Sequence, residues 1–122
     1  MKLCYQVATR DVEIAPSVTA YQGSFEESIK RLSELGYDGV ELMTLDPGKL
    51  DWDDVKNTVE KHGLSVALVC TGEVFGQLGI SFTDPEEKTR KNAIKRVCEI
   101  IDFAGFLNCP FASRRNRTYC LR

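Results

Sequence analysis

Residues 24–43, Ser24-Phe25-Glu26-Glu27-Ser28-Ile29-Lys30-Arg31-Leu32-Ser33-Glu34-Leu35-Gly36-Tyr37-Asp38-Gly39-Val40-Glu41-Leu42-Met43, change hydrophobic period once. Phe25, Ile29, Leu32 and Leu35 recur at helical spacing. Ser24 with Glu27 three residues on is a capping box, and Gly36 supplies the stop. The next run, Gly39 to Met43, is short, apolar and strand-like. A helix passed by one tight turn to a strand is half of a β-α-β crossover.

Outward from that junction the same unit repeats. Leu3 to Ala8 reads as the strand before the helix. After Met43, Asp46-Pro47-Gly48 makes a turn, and a second helix begins at Asp51 and ends at Lys61-His62-Gly63. Leu50 and Val55 are placed for a hydrophobic staple across its start. Ser65 to Cys70 is a nearly unbroken apolar run, the pattern of a central parallel strand covered on both faces. Some 13 residues, Thr71 to Thr83, then separate it from a third helix at Asp84-Pro85-Glu86-Glu87, with Asp84 as cap, Pro85 at the first helical position and Glu87 closing the box. A loop of that length is usually functional or mobile. The third helix is expected to turn Ile94, Val97, Cys98, Ile101 and Ala104 inward, with Asn108 at the left-handed C′ site. Cys109 to Ala112 would start a fourth strand. Strand and helix in alternation define an α/β chain with a parallel sheet.

Composition bounds the rest. With 122 residues, 43% hydrophobic and 28% charged, the chain is one ordinary soluble domain, and no run approaches the roughly 20 apolar residues of a membrane span. A cytoplasmic location is expected. The five cysteines, Cys4, Cys70, Cys98, Cys109 and Cys120, form no C-x-x-C pair, so neither a disulfide framework nor a Cys-ligated zinc is expected. The net charge of −2 conceals an asymmetry. Residues 114–122 hold four of the 16 basic groups and no acid, leaving 12 against 18 acids, a net −6, in residues 1–113. The strand and helix pattern fails after Ala112, which divides the chain into a body, 1–112, and an atypical basic tail, 113–122. The tail reads either as a solvated C-terminus or as the product of a reading-frame change or truncation near residue 110.

The turn Gly36-Tyr37-Asp38-Gly39-Val40-Glu41-Leu42, the strand and loop Leu64 to Gly72, and the Asp84-Pro85 helix followed by Leu107-Asn108-Cys109-Pro110 together resemble the xylose isomerase-like barrel superfamily. That group includes sugar isomerases, keto-sugar epimerases, hydroxypyruvate isomerase and endonuclease IV. Thr71 to Arg96 is most similar to the keto-sugar epimerase branch. The resemblance covers residues 1 to about 110; Asn108 replaces the usual Gly, and everything after Ala112 departs from the pattern. It implies a partial (β/α)8 TIM barrel of about three β-α units plus a possible fourth strand. It further implies a divalent metal, Mn2+, Mg2+ or Co2+, held in the intact family by two Glu, one Asp and one His, the two Glu also moving the proton. Those positions lie on strands 5 to 8, so no catalytic or metal residue and no cofactor is expected within this chain. His62 falls at a helix end on the far side of the barrel.

In such a barrel, ligands meet the C-terminal ends of the strands. The expected substrate-binding residues are therefore Thr9, Glu41, Thr71, Gly72 and Glu73, with Thr44 beside them. Glu41 is the most informative, because a carboxylate among Val40, Leu42 and Met43 must find a base, water or the barrel mouth. Its other reading is a structural pair. Glu73 reads equally as a solvated loop acid. Phe75, Leu78 and Phe82 read as a lid or as apolar cover, and Trp52 as packing at a helix surface or an interface. The functional expectation is the N-terminal part of a sugar or keto-sugar isomerase/epimerase, inactive alone. The alternative is a non-catalytic half-barrel module that self-associates through two open sheet edges and an uncovered inner face. Small sugars are substrates only of a full-length form. Nucleic acid is not an expected partner, since three tail arginines without interleaved aromatics are a weak signal against an acidic body.

Overall fold

The computed structural model describes residues 1–113; the basic tail, with Cys120 and Arg114, Arg115 and Arg117, lies outside the described residues. Within them, strands and helices run in the order β1 (Cys4–Ala8), α1 (Phe25–Glu34), β2 (Gly39–Met43), a 3-10 turn (Pro47–Lys49), α2 (Trp52–Lys61), β3 (Ser65–Cys70), α3 (Gly72–Leu78), α4 (Glu87–Phe106) and β4 (Phe111–Ala112). The four strands pair in parallel in the order β1-β2-β3-β4. This is a partial (β/α)8 barrel.

The helices form where their caps and stripes require. Ser24 caps α1, its hydroxyl accepting the Glu27 N–H, and Asp51 caps α2 by accepting from Asp54. Phe25, Ile29 and Leu32 of α1 and Val55 and Val59 of α2 reach the outer face of the sheet, joining Val7, Val40, Leu42 and Val69 in one core with Ile100 and Phe103 of α4. Each such side chain contributes about 1.5–3 kcal/mol by burial. Leu50 packs on the same core, consistent with the staple across the start of α2. Trp52 lies between α2 and α4, its ring 5.3 Å from Phe103 and 5.4 Å from Phe106 and its Nε1 donating to the Pro47 carbonyl at 2.9 Å.

Several expectations need correction. The segment 71–83 is not a loop throughout, because residues 72–78 wind into α3, closed by Gly79 at φ 65°. The fourth helix begins at Glu87, with Glu86 as its cap position. Asp84 turns the chain before it, accepting the Glu86 N–H at 2.8 Å, and Pro85 precedes the helix. The inward face of α4 is Ala93, Val97, Ile100, Phe103 and Ala104; Ile94 and Ile101 stay 54% and 46% exposed, and Cys98 is exposed. β3 is central but not covered throughout: Ser65 is exposed, Val66 to Leu68 are half-buried, and only Val69 and Cys70 are buried. A register shift causes part of this. Val40 pairs with Val66 but Glu41 with Leu68, so Ala67 bulges and the strand changes face there. Asn108 does take the left-handed conformation, at φ 52°.

Candidate functional site

Every strand is followed at once by a hydroxyl residue: Thr9 after β1, Thr44 after β2, Thr71 after β3 and Ser113 after β4. The ladder continues one step into this rim. Thr9 N–H donates to Met43 O at 3.0 Å, Thr44 N–H to Cys70 O at 3.3 Å, and Thr71 N–H to Ala112 O at 3.2 Å. Thr9, Thr44 and Thr71 are buried. Their hydroxyls are engaged locally: Thr9 with Asp11 and the Met43 carbonyl, Thr44 with Asp11 at 3.0 Å, and Thr71 with the Ser113 hydroxyl at 3.4 Å.

Asp11 organises this rim, and sequence reasoning missed it. Besides the two threonine hydroxyls, its Oδ2 accepts the backbone N–H of Leu45 at 2.7 Å and that of Asp46. One carboxylate thus ties the chain after β1 to the chain after β2. Asp46 carries the link onward through an ion pair to Arg96 of α4, which also meets Glu99 at 2.9 Å. Apart from Thr9, two residues before Asp11, and Glu99, three after Arg96, these partners lie 33 to 50 residues apart in sequence, so no local pattern marks them.

The inner face of the sheet, toward the barrel axis, carries two rows. The upper row is apolar: Ala8, Met43, Cys70 and Ala112, side by side in register. Val12, Val18 and Ala20 from residues 9–23 pack over it and form a roof. That segment is braced from within, since the Gln22 side-chain amide accepts from Ala15 N–H at 2.9 Å and donates to Ala15 O and Val18 O. It is also clasped to α3, where the Gln77 amide meets both the N–H and the carbonyl of Glu13, at 3.0 and 2.8 Å. The lower row is Gln6, Glu41 and Leu68. Glu41 is half-buried, and its carboxylate accepts from the Gln6 amide, which also reaches Cys70 Sγ at 3.4 Å. Its partner is thus a neutral amide, and among the described residues no base pairs with it.

The expected site residues divide accordingly. Thr9, Thr44 and Thr71 lie together on the rim; Glu41 lies one row below the roof. Gly72 opens α3 so close to the sheet that a Cβ there would stand 3.2 Å from Met43 Cε. Glu73 is in the first turn of α3, half-buried, and not in a solvated loop. Phe75, Leu78 and Phe82 are exposed at 37–44%. Among the described residues no three His, Cys, Asp or Glu side chains are grouped to hold a metal ion, so the residues present do not fit the family's metal. His62 caps the end of α2, its carbonyl accepting from the Ser33 hydroxyl at 2.7 Å. A hollow of about 330 Å3 lies at the opposite end of the sheet, by Lys56, Glu60, Ser65 and Asn108, away from the rim.

The model of the xylose isomerase-like TIM barrel family matches residues 29–114, most of the chain. The protein belongs to that family. Among solved structures, the AP endonuclease, family 2, from Brucella melitensis is similar at 18% identity and a TM-score of 0.56, over 89% of this chain and 38% of that one. At that identity the likeness shows the fold, and this chain spans less than two fifths of the neighbour's length. No curated protein matches the sequence. No described helix is long and apolar enough to cross a membrane.

Proposed function

We propose that this chain provides the first β-α units of a sugar or keto-sugar isomerase/epimerase and that the 122 residues alone do not turn over a sugar. The observation that carries the reading is the character of the strand ends: hydroxyls after all four strands, a carboxylate and a carboxamide paired on the inner face below them, and no cationic side chain joined to that pair among the described residues. The carboxylate and carboxamide suit a neutral polyol, whose hydroxyls both donate and accept, while the buried hydroxyls of Thr9, Thr44 and Thr71 hold the strand ends. Asp11 and the rim threonines act here as positioning residues, with Glu41, Gly72 and Glu73 toward the ligand. The divalent metal of the family would polarise the sugar carbonyl when bound. No group of described residues makes a site for it.

The structural neighbour, an AP endonuclease, suggests a second reading, abasic DNA. The net −6 of residues 1–113 opposes a phosphate backbone and disfavours it. The test is to add a panel of ketoses, with Mn2+, Mg2+ or Co2+, to the purified chain while following turnover and backbone amide shifts. Ketose-dependent shifts at Thr9, Glu41, Thr44 and residues 71–73 without turnover are expected. Turnover would overturn the proposed inactivity, absence of shifts the sugar reading, and salt-dependent binding of an abasic duplex would favour the second reading.

A further inference from the structure

The outward side of α4 carries a second apolar stripe that the fold leaves open. Ile94, Cys98 and Ile101 stand at i, i+4 and i+7, and at 3.6 residues per turn they fall within about 60° of arc. Ile94 and Ile101 are 54% and 46% exposed and Cys98 is exposed. Gly105 extends the stripe with nothing within 4 Å of where its Cβ would be. The helix is fixed from behind, by its inward face on the core and by Trp52 against Phe103 and Phe106. The stripe therefore looks away from α2.

We infer that this stripe is a self-complementary interface on which α4 of a second copy packs antiparallel. The charge pattern selects that occupant. Lys91, Asp102 and Lys95 share one flank of the stripe, within about 40° of arc. A two-fold axis between Val97 and Cys98 brings Ile94 of each copy opposite Ile101 of the other. The same axis sets Asp102 opposite position 93, between Lys91 and Lys95 of the other copy. Asp102 has no ion pair among the described residues, whereas Lys91 and Lys95 are tied within their own helix to Glu87 at 2.7 Å and Glu99 at 4.0 Å. A parallel pairing would put the Asp102 flanks of the two copies on opposite sides of the seam, out of reach of Lys91 and Lys95, so the charge match exists only in the antiparallel arrangement. Because the same patch serves both copies, the contact closes at two subunits and does not propagate. Self-association on this face departs from pairing through sheet edges, and it stands apart from the sugar reading, since no ligand enters its test.

The test is light scattering and sedimentation of the full chain across a dilution series. A dimer that dissociates on dilution is expected. Ile94→Glu with Ile101→Glu should leave a monomer with unchanged far-UV circular dichroism, because both side chains are exposed. Asp102→Lys should weaken the dimer several-fold, Lys91→Asp with Lys95→Asp should do the same, and all three changes together should restore it. In a Cys4→Ser, Cys120→Ser background, mild oxidation should link Cys98 to Cys98 across the axis. Cys109 competes poorly, its thiol pushed up by burial. A monomer at every concentration, a dimer indifferent to the Ile94 and Ile101 changes, or charge reversals that add where compensation is expected would each overturn the inference.

Discussion

Asp11 shows how much one side chain can hold. It accepts from the Leu45 and Asp46 amides and from the Thr44 hydroxyl, so its removal strands two N–H donors at once, one on buried Leu45 and one on half-buried Asp46. Asp11→Ala is expected to lower unfolding stability by about 1–3 kcal/mol in urea denaturation, the range for unsatisfied buried donors. Asp11→Asn, which keeps one acceptor oxygen, is expected to cost less. Glu26 offers the pH counterpart. The hydrogen bond from Lys61 at 2.9 Å, and then its charge, hold this exposed carboxyl below its ordinary 4.5. A depressed carboxylate contributes stability that is present above the unfolded value and fades as pH falls through the folded one. The contribution is small, because the pair is solvated. An NMR titration is expected to place the Glu26 midpoint below 4.5, and Lys61→Ala to return it toward that value.

At the scale of elements, what the sequence disclosed and what it withheld have separate physical causes. β2, β3, α1 and α2 were legible because Gly, capping residues and short apolar runs mark their ends locally. The inward face of α4 was not, because apolar residues occupy two adjacent stripes, Ala93-Val97-Ile100-Ala104 and Ile94-Cys98-Ile101. Period alone cannot choose between them; contact with α2 and the sheet does. Likewise α3 is short and polar at its start, so its seven residues carry too little periodicity to register. Of the rim, the positions Thr9, Thr44 and Thr71 followed from the strand ends, but Asp11 required knowing which loops meet. Packing also constrains β2 at its first residue. A Cβ on Gly39 would lie 2.5 Å from the Ser65 carbonyl oxygen and 3.2 Å from Cys4 Sγ. Backbone cannot retreat as a side-chain tip can, so Gly39→Ala is expected to cost about 1–3 kcal/mol by overpacking, measured by thermal denaturation.

At the scale of the molecule, the sheet is not left open as a bare half-barrel would be. Residues 9–23 roof the upper inner face, and Tyr21 bridges the outer edge of β1, its N–H donating to Gln6 O at 2.8 Å and its carbonyl accepting from Ala8 at 3.0 Å. The expectation of two open edges and a bare inner face is corrected at the β1 edge and over the upper row. Tyr21→Pro removes one of these two bonds. The variant is expected to exchange the Ala8 amide faster and to aggregate sooner, as unguarded edges do, read by hydrogen exchange and turbidity.

That bridge gives the sheet a direction. At the β1 side the Ala8 N–H and the Gln6 carbonyl are already taken by Tyr21, so an incoming strand finds those two groups spent. The sheet is thus unlike at its two sides: any strand pairing with β1 at Gln6 and Ala8 would first have to displace Tyr21, which acts there as a latch.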